Sequence, residues 1–480
     1  MNLEIYNLLI LFPAIFFLAV VYYLVPQKYR WIVLLVSSYG FIAWVGSWSV
    51  VIIIASSLAN YLIGLWIHKC RAHSRILLGF GILVNIVILG VFKYFSAQLN
   101  LDASLSTFFH PHETAILIPL GLSYYTLQNI SYLVDVSKSI TPAEVNPGIF
   151  LVYHAFFPKI IAGPIERGKS LFRQIRLPEK IKWSNISAGS SLILFGLFKK
   201  VVLADHMVTF VNEVFDKPGV YQGLTVLLGT VFLGFQIYLD FSGYSDIAVG
   251  IAKILGISLT VNFNRPFLSQ NLVEFWNRWH ISLSAWLRDY IFYPSRRFLL
   301  QKMRSLPFLA VLLSPILAML VSGLWHGTGL TFICWGLFHA VFYTIVVVRR
   351  SLTGSVPAER SAFLKIVTIL VNFGVVSTGW ILFRADSLSS AWTIFKNIFV
   401  KSTTLELILR QVMYLDYLIP LIAVLLTLVV EIFMEIFKDR FTFADFPLVL
   451  RWMIYLLVIL AITIFGVYQK GANIFVYGKF

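Results

Sequence analysis

The chain is poor in charge. Only 12% of its 480 residues are Asp, Glu, Lys or Arg, against roughly 25% in an average soluble domain. That excludes an ordinary water-soluble enzyme. No polar stretch is long enough to be a separate domain, so one membrane domain spanning 1–480 is expected. Cysteine is nearly missing: Cys70 and Cys334 are the only two. Neither has a CxxC or His-rich neighbour, which argues against a disulfide framework or a thiolate metal site. Metalloprotease spacing is missing too. His68, His73, His110, His112, His154, His206 and His339 show no HExxH-like pattern, and no metal is expected. The pair around Pro111, His110 and His112, reads as a solvated outside loop. The alternating hydropathy of a membrane β-barrel, internal repeats and low-complexity segments are all wanting. Met1-Asn2-Leu3-Glu4 lacks the basic region of a cleavable signal, so the first apolar run is expected to stay as a membrane helix.

What the chain has is length of apolar sequence, with 59% hydrophobic residues. Runs long enough to cross a bilayer, about 17–25 residues, lie near 6–26, 31–46, 48–67, 76–96, 115–134, 186–204, 221–239, 306–324, 328–348, 363–383, 413–436 and 450–469. Mixed runs lie at 146–163, 241–257 and 286–300. An all-α polytopic membrane protein with eleven to thirteen crossings, plus re-entrant or interfacial helices, is expected. The net charge of +16 fits Lys and Arg in cytoplasmic loops facing anionic lipid better than nucleic acid. Basic residues follow the first run (Lys28, Arg30) and the third (Lys69, Arg71, Arg75), whereas Ala97 to Glu113 has no Lys or Arg. The positive-inside rule then puts the N-terminus outside. Arg167 to Lys182 reads as a cytoplasmic, partly amphipathic surface segment. Arg349, Arg350, Lys438 and Arg440 also read as cytoplasmic, whereas Lys199 and Lys200 fit the alternation poorly.

The most informative stretch is Ser322-Gly323-Leu324-Trp325-His326-Gly327, between two apolar runs. An ionisable side chain at membrane depth is costly and is a functional candidate by default. The glycines suggest a break in the helix, tolerated there only where it is buried in protein or lines a wet cavity. A second constellation runs from Asn262 to Pro294. It carries Arg265, Glu274, Arg278, His280, Arg288 and Asp289 among Trp276, Trp279 and Trp286. Trp276 and His280 stand at i and i+4. By itself this reads as an amphipathic interfacial helix with an aromatic anchor.

Moving an acyl group onto a hydroxyl requires a base for the hydroxyl proton, donors for the developing oxyanion and a dry site. Histidine suits the first task because its unperturbed pKa, about 6.5, lies near neutrality. His280 and His326 sit on separate segments with ample chain between them to meet.

Together these stretches resemble the membrane-bound O-acyltransferase family. Trp276-Asn277-Arg278-Trp279-His280-Ile281-Ser282-Leu283-Ser284 is similar to its W-x-R-W-H-x-S-L block, and Leu324-Trp325-His326-Gly327 to its second histidine block. Gly163-Pro164-Ile165, Tyr238 to Asp246 and Asn262-Phe263-Asn264-Arg265-Pro266-Phe267 add to the likeness, which is densest from about 150 to 345. It is greatest to the bacterial branch that acetylates alginate and peptidoglycan. The resemblance implies many helices around a central tunnel or funnel. It implies that His326 matches the catalytic histidine and His280 the second, motif-bearing one. It further implies cytoplasmic acetyl-CoA as donor, with no bound cofactor, in a bacterial inner membrane. Periplasmic partner proteins would relay the group to a polysaccharide.

Each residue also has a plainer reading. His280 could orient helices rather than act in chemistry. Trp276, Trp279, Trp286 and Trp325 read first as wall and anchor. Tyr238, Asp240, Ser242, Tyr244, Ser245 and Asp246 read as a hydrogen-bond hub or as a lining of the donor passage. Arg265, Arg278 and Arg288 could attract the donor's phosphates or face headgroups. The expected site is thus His326 and His280, with Trp325, Ser322, Gly323, Asn277, Arg278, Trp279 and Asp240 around it. Backbone N–H groups at Gly323 and Gly327 are the expected oxyanion donors. Two rivals stand: D-alanyl transfer from a carrier protein to teichoic acid, and a transporter or flippase. The latter calls for paired intramembrane charges and pseudo-symmetric halves, neither of which is clear in the sequence.

Overall fold

The structure, a computed structural model, describes residues 5–94, 119–353, 361–401, 415–437 and 443–467. The expectations for Met1 to Glu4, for Ala97 to Glu113 with His110 and His112, and for Lys438 and Arg440 lie outside the described residues. Among the described residues every regular element is helical. The apolar sequence explains why. A backbone in hydrocarbon must satisfy its own polar groups, and a helix does so within one segment.

The chain packs as two compact units. The first comprises 3–193 and 245–260. It holds α1 (Ile5–Leu24), α2 (Arg30–Val45), α3 (Ser47–Lys69), α4 (Ser74–Leu89), α5 (Leu122–Ser137), α6 (Pro147–Ala155) and α7 (Gly168–Arg176). Its core is aromatic, with Tyr132, Phe150, Tyr153, Phe156 and Phe172 buried against Leu34, Ile67 and Leu133. Helix α7 buries Leu171, Phe172 and Ile175 on one face and leaves Lys169 and Arg173 exposed, as an amphipathic surface segment should. The Gly163-Pro164-Ile165 phrase lies in a tightly bonded turn. Lys159 Nζ donates to Gln128 Oε1 (2.5 Å), and Glu166 Oε1 accepts from the Thr260 amide (2.5 Å).

Two helices divide their length between the units: α8 (Trp183–Leu197) and, after α9 (Met207–Phe215), α10 (Leu224–Ile254). The second unit comprises 194–244 and 261–480. It continues with α11 (Leu272–Arg278), α12 (Ile281–Leu287), α13 (Tyr293–Lys302), α14 (Pro307–His326) and α15 (Leu330–Thr353). Then come α16 (Ala362–Arg384), α17 (Leu388–Asn397), α18 (Leu415–Ile436) and α19 (Leu448–Phe465). Helices α14 and α15 form a close antiparallel pair, with α16 and α11 packed on α15.

A helix stands at each of the twelve apolar runs predicted as spans. Among the described residues, nine are long and apolar enough to cross a membrane, fewer than the eleven to thirteen expected. The difference is one of length. Helices α2 and α5 have 16 residues each, short of the about 20 a perpendicular crossing takes. In α1 the apolar stretch Phe12–Leu24 is shorter still. The protein is a polytopic all-α membrane protein.

Candidate active site

The second unit brings both histidine blocks together. Helix α14 does not break at its glycines. It runs unbroken to His326, and the chain turns extended only at Gly327 (φ −169°, ψ 173°). Gly323 has a different task. A Cβ there would lie 2.4 Å from the Phe332 carbonyl oxygen and 3.5 Å from the Cα of Gly336. It is the contact that lets α14 and α15 approach, as small residues do between membrane helices. The Gly327 N–H is already donated to the Gly323 carbonyl (3.2 Å). The expected oxyanion donors at these two glycines are therefore corrected: one amide is used within the helix, and the other lies inside it.

The second block is not a continuous amphipathic helix. Helix α11 stops at Arg278 and α12 starts at Ile281, with His280 between them in a left-handed conformation (φ 42°, ψ 54°). Such a backbone costs about 1–3 kcal/mol in a non-glycine residue and persists only when its surroundings over-determine it. Here they do. The Asn264 N–H donates to the Arg278 carbonyl (2.9 Å), the Ile281 N–H to the Asn262 carbonyl (3.0 Å), and the Ser284 N–H to the His280 carbonyl (2.9 Å). Asn262 Oδ1 also accepts from the Ser282 N–H (3.2 Å). The Asn262-Phe263-Asn264 phrase is thus the clamp that holds His280.

The tryptophans of this segment are buried rather than interfacial: Trp276, Trp279 and Trp286 are all core residues. They build a cage of rings. Trp325 lies against both histidines, its ring centroid 6.1 Å from that of His280 and 4.8 Å from that of His326. Phe241 meets His280 edge-on at 4.7 Å. Trp335 and Phe383 meet His326 edge-on at 5.1 and 5.3 Å. Trp279 lies between Phe275 and Trp380. His280 is fully buried and His326 only 3% exposed. Burial pushes the His280 imidazole down to about 3, so the ring is neutral at neutral pH. Ser322 is buried one turn before His326, and its hydroxyl has no hydrogen-bond partner among the described residues.

The charged candidates are already paired with opposite charges. Arg278 grips Glu435 with both terminal nitrogens (3.2 and 3.0 Å) and also pairs with Glu274 (2.8 Å). Arg265 pairs with Glu435 (3.0 Å), and Arg288 with its neighbour Asp289 (2.9 Å). All three arginines proposed for phosphate are thus paired with carboxylates. Asn277 is exposed. Asp240 is buried and paired with Lys200 (2.7 Å), which also meets Asp205 (2.8 Å). A π-helical segment, Phe198–Ala204, carries Lys200, and its wider turn donates the Asp205 N–H to the Lys200 carbonyl (3.1 Å). Paired intramembrane charges, not discerned in the sequence, are therefore present. Sequence separation hid them, since Lys200 and Asp240 come from different helices. Tyr238 donates to Glu431. Glu431 and Glu435, both on α18, were missed because that helix carries no motif. Their i, i+4 spacing on an apolar helix was the available signal.

The second unit thus holds two buried imidazoles in an aromatic cage. The comparisons with known proteins give it a family. The family model described as MBOAT, membrane-bound O-acyltransferase family, matches residues 138–383. The chain is 36% identical over 388 residues to the probable alginate O-acetylase AlgI of Pseudomonas aeruginosa, covering 79% of this chain and 71% of that protein. It is 32% identical over 373 residues to the peptidoglycan O-acetyltransferase of Helicobacter pylori, covering 72% and 69%. To the teichoic acid D-alanyltransferase of Bacillus subtilis it is 30% identical over 288 residues, covering 57% and 70%. The chain belongs to the membrane-bound O-acyltransferase family and is an acyltransferase.

Proposed function

We propose that the protein O-acetylates an extracytoplasmic polysaccharide of the alginate kind. It would draw the acetyl group from cytoplasmic acetyl-CoA across a bacterial inner membrane. The observation that carries this reading is the caged pair His326 and His280, in a chain whose similarity to alginate and peptidoglycan O-acetylating proteins covers most of its length. Teichoic acid D-alanyltransferases match a smaller share of it.

In the proposed step His326 takes the proton of an acceptor hydroxyl as its oxygen attacks the thioester carbonyl carbon. The carbon–oxygen bond forms, the carbon–sulfur bond breaks, and the departing thiolate recovers the proton from the His326 imidazolium. An ester and a free thiol result. His280, neutral and held by its clamp, assists by hydrogen bonding. A growing glycan is too bulky to thread easily into a helical bundle, so a periplasmic partner that relays the acetyl group to the polymer fits this reading.

General-base help is worth about 10²–10⁴-fold. Membranes carrying His326→Ala should therefore incorporate almost no label from radiolabelled acetyl-CoA into ester, with the protein present at normal levels. Ester formed at the wild-type rate by that variant would remove His326 from the chemistry. Label absent with acetyl-CoA but present with a D-alanyl carrier protein would move the chain to the D-alanylating branch.

A further inference from the structure

An acyl transferase must steady the carbonyl oxygen as it gains charge, and the two glycines after Ser322 do not supply the donors. The structure offers others beside His326. Trp335 on α15 is fully buried and meets the His326 ring at 5.1 Å. On its other side lies His339, also fully buried, with ring centroids 4.9 Å apart. Trp276 from α11 closes the group, 5.8 Å from Trp335 and 5.3 Å from His339. Rings thus alternate in contact from His280 through Trp325, His326 and Trp335 to His339.

The polar atoms of this inner group are unusual. Nε1 of Trp335, Nε1 of Trp276 and both ring nitrogens of His339 are buried with no hydrogen-bond partner among the described residues. Buried polar groups are nearly always satisfied, and each exception calls for an explanation. Here four such atoms belong to three mutually touching side chains beside the candidate base. They are also rich in donors. An indole N–H can only donate, and a neutral imidazole adds one donor more. The ligand chemistry such a group suits is a hydrogen-bond acceptor without protons of its own. Gly379 makes room for the His339 ring: a Cβ there would lie 2.5 Å from His339 Nε2, so a larger residue would force the ring to move.

We propose that Trp335 donates its indole N–H to the carbonyl oxygen of the acyl group during transfer, with His339 and Trp276 completing the subsite. A carbonyl whose carbon is under attack by a hydroxyl held on His326 lies beside Trp335 as well. The oxygen's gain of charge strengthens a hydrogen bond from that side, which is the differential binding catalysis requires. This inference rests on the acyl-transfer reading of His326.

The test replaces the N–H and keeps the shape. Benzothienylalanine placed at position 335 puts sulfur where the indole carries its N–H, and Trp335→Phe removes the group by ordinary mutation. Transfer from radiolabelled acetyl-CoA is followed in membranes carrying the full chain and its acceptor system. Loss of one oxyanion donor lowers kcat by about 10²–10³-fold. That loss is expected in both variants, with KM for the thioester and the melting temperature of the benzothienyl protein unchanged. A wild-type kcat in the benzothienyl variant overturns the assignment, even if Trp335→Phe fails to fold. Should His326→Ala abolish transfer while the benzothienyl variant does not, the Trp335 assignment alone falls. Should the unaltered protein transfer no acetyl group from acetyl-CoA, the acetyl-transfer reading falls with it.

Discussion

Two regions of the second unit hold buried polar chemistry and treat it in opposite ways. Around His326 and His280 the neighbours are rings: Trp325, Trp335, Phe241 and Phe383. Around Lys200 and Arg278 the neighbours are carboxylates, with Asp205 and Asp240 on the lysine and Glu435 and Glu274 on the arginine. Burial leaves the His280 imidazole neutral, and aromatic rings surround both histidines. In the ionic clusters each cation already has carboxylate partners. On the proposed function, the cage is the region for the reaction and the ionic clusters hold helices together. Substitutions in the cage should cost activity and spare stability. Substitutions in the ionic clusters should do the reverse.

The largest effect is expected at the centre of the cage. His326→Ala should lose about 10²–10⁴-fold in acyl transfer while melting close to the wild type, because the aromatic rings around it pack on one another without it. A large fall in melting temperature would break the comparison at its strongest point. The counterpart is Lys200→Met. It leaves Asp205 and Asp240 buried without their cation, and removing one partner of a buried pair costs about 3–5 kcal/mol. Thermal unfolding in detergent should show it, and Asp240→Asn added to Lys200→Met should restore part of the loss. If Lys200→Met instead melted normally and lost acyl transfer, the lysine would belong with the chemistry.

His280 sharpens the contrast because it has both a side-chain and a backbone role. Asn tolerates the left-handed backbone better than most residues, so His280→Asn keeps the turn and deletes the imidazole. We expect a loss of about ten- to a hundredfold in transfer, below the 10²–10⁴-fold typical of a full general base, with little change in melting. Normal transfer by this variant would reduce His280 to a holder of the turn. Gly379→Ala tests the cage from outside. Its Cβ would lie 2.5 Å from His339 Nε2, and overpacking of that kind costs about 1–3 kcal/mol. The reading is a lowered melting temperature, and no change would mean that the His339 ring has room to retreat.

The sequence disclosed these two regions unequally, for physical reasons. Spans follow from runs of apolar residues, so all twelve have a helix. The local motifs around His280 and His326 named the residues that the fold gathers around Trp325. Whether a helix breaks was not legible. The glycines beside His326 read as a break, yet Gly323 serves the crossing of α14 and α15, a property of a partner helix that local sequence does not carry. The second block read as one amphipathic helix because Trp276 and His280 keep helical spacing. The clamp from Asn262 and Asn264 overrides that spacing. Ion pairs were the least legible, since Glu435 lies 157 residues from Arg278 and only tertiary structure joins them. His339 was passed over for lack of metal-ligand spacing, although its burial between Trp276 and Trp335 is among the clearest features of the site.

The smallest expected effect makes the finest test. Glu435 is 39% exposed and serves Arg265 and Arg278 together. Exposure weakens such pairs, and an exposed ion pair is commonly worth about 0–1 kcal/mol. Glu435→Gln keeps the shape and a hydrogen-bond acceptor, and Glu274 still holds Arg278 (2.8 Å). We therefore expect a fall in stability below about 1 kcal/mol, larger at low salt because screening weakens exposed pairs first, and no change in transfer rate. Arg265 precedes Pro266 and, like His280, has a left-handed backbone (φ 48°). The Arg278 carbonyl anchors Asn264 in the clamp. If the ionic cluster positions His280 through these two residues, Glu435→Gln will slow transfer by more than its stability loss explains, and raising the salt concentration will slow the wild type in the same way. Equal rates in both proteins at both salt concentrations would leave the cluster as scaffold and the cage as the only seat of the chemistry.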